Sequence, residues 1–177
     1  TMVQLTHALT TDWSLRIAGN YLDLDRPYKY SNVLLNDKTT GAGQAFFGVL
    51  ENFYESWSGV VQVDGKVKTG SIGHELIFGY SPQRIVYDEY RAFPGGAAFN
   101  VYNPTALPEP FAALGALRRS TFTNRSSFVM DRVTLSEQWQ AIVGTRYNDY
   151  LQTFTGQPDY DKTKVTPTVG LVFKPQP

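Results

Sequence analysis

Two segments of the chain repeat one pattern, in which a tryptophan follows a short polar turn and a tyrosine comes eight residues later. The pairs are Trp13 with Tyr21 and Trp139 with Tyr147. Successive side chains of a strand point to opposite faces, so an even spacing places both rings of a pair on one face. Eight residues tilted by about 40° rise about 20 Å, close to the ~25 Å apolar band of an outer-membrane barrel. The pattern is therefore typical of strands that cross a bilayer with an aromatic ring at each interface.

The residues between the two rings divide into an apolar and a polar set by the same alternation. The ring face carries Leu15, Ile17 and Gly19 in the first segment and Ala141, Val143 and Thr145 in the second. The opposite face carries Ser14, Arg16 and Asn20, or Gln140, Gly144 and Arg146. A soluble sandwich explains this alternation equally well, but it gives no reason for the repeated ring spacing.

Composition excludes several classes of protein. The 16 basic and 16 acidic side chains balance, so charge gives no argument for a nucleic-acid partner. Aromatic residues make up 14% of the chain, which favours strands. No run of about 18 apolar residues occurs, as a membrane helix would need. The chain has no cysteine, hence no disulfide framework and no thiolate metal site. The sequence shows no signal peptide, so for an exported protein we expect a cleaved leader or an excised piece.

Period-two alternation predicts an all-β fold, an antiparallel up-and-down meander of about seven long strands that forms part of a transmembrane barrel. The predicted strands are residues 3–9, 13–23, 45–68, 73–80 or 73–90, 126–135, 139–151 and 164–174. Pro167 is awkward within the last strand because it removes a backbone donor.

The predicted connections alternate between short and long. Short turns fall at 10–12, 69–72 and 136–138, and long loops rich in Gly, Pro, Asn and Tyr fall at 24–44, 82–125 and 152–163. In a meander this places every short turn at one end and every long loop at the other, the pattern of outer-membrane barrels. We expect a short helical turn within 105–118. We also expect open sheet edges, because seven strands cannot close a bacterial barrel.

Several segments resemble TonB-dependent siderophore receptors of Gram-negative outer membranes. Residues 127–139 end in Leu-Ser-Glu-Gln-Trp and are followed by Gly-Thr-Arg-Tyr at 144–147, similar to the family's Leu-Ser-Asp-x-Trp and Gly-x-Arg-Tyr. Thr-Pro-Thr-Val-Gly-Leu at 166–171 resembles the family's Thr-Pro-x-x-Gly-Leu. Segments at 61–80 and 100–104 also match in order and spacing, whereas Met130 and Arg132 stand where the family has glutamines.

The resemblance implies that residues 1–177 are a partial receptor barrel, without a plug domain and with the barrel incomplete. It places the protein in the outer membrane, in contact with lipid. It also implies that the parent protein takes up a ferric siderophore, energised by TonB through the absent plug. The alternative is a self-contained small β-barrel that acts as a binding or structural module, which needs an eighth strand within 82–125.

Catalytic, metal-binding and cofactor sites have no candidate residues. His7 and His74 are the only histidines and have no companion cluster. No phosphate loop, EF-hand or nucleophile-elbow motif occurs. We therefore expect a protein that is not an enzyme, holds no metal and needs no cofactor, with iron entering only as part of a transported ligand.

The two longest loops carry the candidate ligand-binding residues. These are Tyr28 and Tyr30 in the first, and Tyr87, Tyr90, Arg91, Phe93, Tyr102, Arg118 and Arg119 in or near the second. Aromatic rings beside arginines suit a bulky anionic ferric chelate, through stacking, cation–π contact and hydrogen bonds. The alternative is that these rings pack the loops against one another.

Overall fold

The fold is an all-strand sheet. The computed structural model describes residues 1–175, which contain eight strands and no helix. The strands are β1 (Met2–Ala8), β2 (Trp13–Asp37), β3 (Ala42–Thr69), β4 (Ile72–Ala92), β5 (Gly96–Asn100), β6 (Arg118–Thr134), β7 (Trp139–Phe154) and β8 (Gln157–Phe173). Within these residues, accordingly, nothing helical is available to span a membrane.

Neighbouring strands of the chain are neighbours in the sheet. The order is β1-β2-β3-β4-β6-β7-β8, and β5 pairs with β3 off this path. The antiparallel meander predicted from the sequence is thus confirmed, with one additional short strand. β1 and β8 occupy the two edges and do not pair with each other in the described part of the chain. The open sheet confirms the predicted open edges and argues against the closed small barrel.

The two turns that precede the repeated tryptophans have the same hydrogen bonds. The Thr10 hydroxyl accepts from the backbone N–H of Asp12 and Trp13 at 3.2 and 3.1 Å. The Ser136 hydroxyl accepts from the N–H of the matching residues, Gln138 and Trp139, at 3.3 and 3.1 Å. Small hydroxyl residues favour such turns because they offer the backbone a nearby acceptor. The sequence repeat is therefore a structural repeat as well.

Strand register keeps the rings of the second segment on one face of the sheet. Trp139 lies opposite Phe173 and Tyr147 opposite Val165. Trp139, Val143 and Tyr147 are 40%, 52% and 46% exposed, so this apolar face is not covered by protein. Pro167 pairs with Thr145 without a shift of register. β8 is an edge strand here, and a proline nitrogen that points to the unpaired side costs no ladder hydrogen bond.

The predicted long loops at 24–44 and 152–163 are wrong. β2 and β3 continue to a tight turn at 38–41, and β7 and β8 continue to a turn at 155–156. β1 pairs with β2 only as far as Asn20, so Pro27 lies on a stretch of β2 that has no partner on that side among residues 1–175. Asp, Asn and Pro in this stretch indicated a loop, although an open edge accepts them.

The third predicted loop, 82–125, is partly strand. β4 extends to Ala92, in agreement with the longer of the two predicted ranges, and β6 begins at Arg118. Residues 101–117 are irregular and the predicted helical turn is absent. Pro104, Pro108 and Pro110 remove backbone donors that a helix would need.

The strands divide between two compact units. Unit 1 contains residues 1–22, 55–86 and the chain from 121 onward, and unit 2 contains residues 23–54 and 87–120. Unit 1 carries both Trp–Tyr segments. Its apolar face includes an edge-to-face pair of Trp13 and Phe78, with ring centroids 6.3 Å apart, and a Trp139–Phe173 pair at 4.7 Å.

Candidate ligand-binding face

All nine residues predicted to bind ligand lie in unit 2. Tyr28 and Tyr30 lie on β2, Tyr87, Tyr90 and Arg91 on β4, Phe93 just after β4, Tyr102 just after β5, and Arg118 and Arg119 at the start of β6. They come from four segments distant in the sequence, which the strand pairing gathers into one compact unit. The structure does not place all nine on one face.

Alternation along β4 places Tyr87, Glu89 and Arg91 on one side of the strand. The Glu89 carboxylate is the centre of this group. It accepts a hydrogen bond from the Tyr87 hydroxyl at 3.4 Å and pairs with Arg91 Nη1 at 3.4 Å and Arg118 Nε at 3.7 Å. Sequence analysis missed Glu89, although its position between two candidates in the alternation could have identified it.

Strand β2 adds a second aromatic group. The Tyr28 and Tyr30 rings stack with centroids 6.2 Å apart, and the Arg26 guanidinium lies 5.5 Å from the centroid of Tyr28. Asn52 Nδ2 on β3 donates to the Tyr28 hydroxyl at 3.5 Å. The other side-chain atom of Asn52, Oδ1, is buried and has no hydrogen-bond partner in residues 1–175.

The two groups influence each other electrostatically through Tyr87. Burial raises the pKa of the Tyr87 phenol, Glu89 and Tyr28 raise it further, and Arg26 opposes the shift. Tyr87 is fifteen residues beyond the start of β4 at Ile72, whereas about 9–11 residues cross a bilayer. Outside the membrane, Tyr87 therefore remains a protonated hydrogen-bond donor.

We call this set of side chains the tyrosine–arginine face. Its members are Arg26, Tyr28, Tyr30, Asn52, Tyr87, Glu89, Arg91 and Arg118. Three guanidinium groups face one carboxylate, so the face has an excess of positive charge. The side chains of Arg91 and Arg118 are 38% and 39% exposed, which leaves both within reach of a ligand. An anionic group whose coplanar oxygens accept hydrogen bonds, such as a carboxylate, fits this arrangement.

Phe93 extends this aromatic environment beyond the end of β4. The Arg91 guanidinium lies 5.6 Å from the centroid of the Phe93 ring, within the range of a cation–π contact. Phe93 is 59% exposed. The ring therefore borders the tyrosine–arginine face next to one of its arginines.

Two of the predicted residues lie on the opposite side of their strands. Tyr90 packs edge-on against Phe53, with ring centroids 6.3 Å apart. Arg119 forms a bidentate pair with Asp88, with distances of 2.7 and 2.6 Å. Tyr90 and Arg119 are each adjacent in sequence to a member of the face. Adjacent side chains of a strand point to opposite sides, so these two point away from it.

Tyr102 holds a turn. Its hydroxyl donates to the carbonyl oxygen of Lys38 at 2.5 Å, and its ring packs against Gly41. Gly41 has a φ of 74°, a conformation that favours glycine, and a side chain there would meet the Tyr102 ring. Asn100 completes the contact by donating from Nδ2 to the Thr40 carbonyl oxygen at 2.9 Å. The geometry thus gives Tyr102 a structural contact with the 38–41 turn.

Residues 1–175 contain no cluster of three or more His, Asp or Glu side chains that could hold a metal ion. His74 instead contacts Asp131, with 2.7 Å between Nδ1 and Oδ2, in unit 1. The contacts described in unit 2 offer recognition by stacking, charge and hydrogen bonds.

Comparison with known proteins gives a family match over the whole chain. The model of the TonB dependent receptor-like β-barrel matches residues 1–177. Among curated proteins, the metal-pseudopaline receptor CntO of Pseudomonas aeruginosa strain UCBPP-PA14 is 23% identical over 193 residues, which cover 98% of this chain and 27% of the receptor. The same receptor from strain PAO1 is 22% identical over 194 residues, with the same coverage.

Solved structures share the fold. The ferric preacinetobactin receptor BauA from Acinetobacter baumannii matches with a TM-score of 0.85 at 22% identity, covering 99% of this chain and 28% of that one. The ferripyoverdine receptor of the Pseudomonas aeruginosa outer membrane matches with a TM-score of 0.85 at 13% identity, covering 99% and 24%. The chain therefore spans about a quarter of the length of these relatives.

Proposed function

Because the chain belongs to the TonB-dependent receptor β-barrel family along all of its 177 residues, we propose that it forms part of the barrel wall of a receptor that takes up a ferric siderophore. The family consists of receptors of the Gram-negative outer membrane and is not an enzyme family. In the full-length receptor, energy for uptake comes from TonB. The chain itself catalyses no reaction and holds no resident cofactor, since iron is part of the cargo.

The tyrosine–arginine face is the observation that carries this proposal. Its stacked tyrosines offer flat surfaces to an aromatic or bulky chelate, and Arg91 and Arg118 offer charge-assisted hydrogen bonds to an anionic one. Tyr87 adds a neutral donor. A ferric chelate whose iron-ligating oxygens carry negative charge offers both a bulky surface for stacking and acceptors for the arginines. Phe93 lies beneath Arg91 and belongs to the same proposed site.

The apolar face of unit 1 supports the membrane part of the proposal. Its exposed valines and paired aromatic rings have the composition of a surface in contact with lipid. We propose outer-membrane lipid as the partner of this face and no role for nucleic acid, because the chain has no net charge.

The curated relative allows a second ligand class. That relative is named as a receptor for metal-pseudopaline, and it matches almost all of this chain. A metal complex other than a ferric siderophore is the second candidate cargo. Both classes use the same chemistry at the tyrosine–arginine face, so binding assays need to include both.

Two adjacent arginines provide a matched test. In the intact receptor, Arg118→Ala removes a guanidinium from the tyrosine–arginine face, whereas Arg119→Ala removes one from the opposite side of β6. Hydrogen bonds to charged groups contribute about 1.5–3 kcal/mol. We therefore expect R118A to weaken binding of the ferric siderophore by about tenfold or more in a fluorescence titration, and R119A to change it little. Equal affinities for the two variants would contradict the proposed site.

A further inference from the structure

Arg16 and Arg146 of unit 1 have no acidic partner within the described residues. Arg16 Nη2 donates to the neutral Gln62 Oε1 at 2.6 Å, and its Nε is buried without an acceptor. Arg146 Nε donates to the neutral Asn148 Oδ1 at 3.1 Å, and its guanidinium lies 5.7 Å from the centroid of the Phe128 ring. By contrast, Arg125 and Arg132 of the same unit have carboxylate partners, Asp149 at 3.8 Å and Glu75 at 3.2 Å.

Such an arrangement leaves positive charge uncompensated. An arginine cannot lose its proton in a protein, so the burial of Arg16 Nε is not relieved by neutralisation. The Asp64 carboxylate accepts a hydrogen bond from Gln62 Nε2 at 2.8 Å. It is connected to Arg16 only through the Gln62 amide, so the guanidinium retains unfilled donors.

Arg16 and Arg146 line the same cavity. Its volume is about 430 Å³, and Gln62, Phe128, Gly144 and Thr168 contribute to its wall. Small-molecule sites have volumes of about 300–1,000 Å³. Phe128 forms part of the wall because its ring lies across Gly79, where a Cβ would approach to 2.8 Å from the ring. The cavity therefore has two cationic groups, an amide, a hydroxyl and an aromatic surface.

We propose that this cavity, the Arg16–Arg146 site, binds a carboxylate group. A guanidinium presents parallel N–H donors at the spacing of the two carboxylate oxygens. Within the described residues no hydrogen bond engages Nη1 of Arg16 or either Nη of Arg146, so these donors are available to a carboxylate. The carboxylate comes either from a small molecule or from an Asp or Glu side chain of the receptor outside the described residues. The proposal does not depend on the tyrosine–arginine face, which lies in unit 2.

Citrate is a suitable probe for the small-molecule source. The intact receptor is purified in detergent with Arg118→Ala in the background, which weakens anion binding at the tyrosine–arginine face. Citrate binding is then measured by calorimetry at low salt. If the site takes a free carboxylate, R16Q and R146Q each weaken citrate binding at least tenfold. The control R132Q, whose arginine already has Glu75 as partner, leaves binding unchanged.

Thermal unfolding of the same variants tests the internal source. If a carboxylate of the receptor itself fills the site, citrate does not bind. R16Q and R146Q then lower the Tm more than R132Q does. R16K and R146K restore the Tm because they keep the positive charge. The proposal is overturned if citrate binding is insensitive to both arginines. It is also overturned if citrate does not bind and either the Gln variants match R132Q in Tm or the Lys variants fail to restore it.

Discussion

At the scale of single residues, Glu89 shows how one side chain organises a recognition surface. Its carboxylate contacts Tyr87, Arg91 and Arg118, which come from two strands. Without it, two arginines on one face would repel each other. We infer that Glu89 fixes the directions of both guanidinium groups and moderates their charge.

Substitution of Glu89 by Gln should change the titration of Tyr87. Burial is the largest cause of the raised pKa of Tyr87 and the Glu89 charge is the second. In E89Q the second cause is lost, so the Tyr87 pKa should fall while remaining above its usual value. An NMR titration of ¹³C-labelled tyrosine, with the Tyr87 signal identified from Y87F, measures this shift. An unchanged pKa in E89Q would mean that Glu89 does not act on Tyr87.

Sequence reasoning at this scale did not predict the side of the strand on which each candidate side chain lies. Five of the nine candidates, Tyr28, Tyr30, Tyr87, Arg91 and Arg118, lie on the tyrosine–arginine face, and Phe93 borders it. Tyr90 and Arg119 point the other way. Strand alternation separates them only once these segments are known to be strands, and the sequence left 82–90 open between strand and loop and predicted a loop at 118–119.

At the scale of elements, the 38–41 turn joins β2 to β3 where the sequence predicted a long loop. The Asp37 carboxylate accepts from the backbone N–H of Thr39 at 2.8 Å and from the Thr40 hydroxyl at 2.8 Å. Aspartate before a turn commonly forms such bonds. These contacts, together with Tyr102, fix the end of the hairpin.

The Asp37 turn should weaken in acid. Its backbone bond to Thr39 and its bond to the Thr40 hydroxyl hold the pKa of Asp37 below the ordinary 3.8. A lowered folded-state pKa contributes stability that is present above 3.8 and is lost as pH falls through the folded value. Amide hydrogen exchange of Thr39 and Thr40, corrected for intrinsic rates, should therefore speed up below about pH 4. D37N, which cannot ionise, should abolish this pH dependence, and a wild-type turn with a flat profile would refute the assignment.

The extent of each strand was predictable only where one face is apolar. The strand ends next to the short turns at 9–12, 70–71 and 135–138 agree with the sequence prediction to within a few residues. Beyond the apolar stretch both faces carry polar and aromatic side chains, as in the Tyr150–Tyr160 contact at 6.0 Å between β7 and β8. The sequence of such a stretch shows no alternation of apolar and polar residues, so it resembles the sequence of a loop.

At the scale of the whole molecule, the open meander and the family match describe a section of barrel wall. Sequence alone predicted the fold class, the strand order and the open edges, because long strands joined by short turns leave few other topologies. It could not predict β5, since the pairing of Gly96–Asn100 with β3 depends on a contact between distant segments.

The most direct test of the account is the orientation of the sheet in the outer membrane. The turns at 38–41 and 70–71 lie at opposite ends of β3, and the chain contains no cysteine, so single cysteines can report on each. In cells that express the intact receptor in a background without other cysteines, Thr39→Cys should react with a membrane-impermeant maleimide added outside. Ser71→Cys should react only after the outer membrane is permeabilised. The account treats this chain as receptor barrel wall with the tyrosine–arginine face turned toward the incoming ligand. Equal labelling of the two sites in intact cells, or labelling of Ser71→Cys alone, would contradict it.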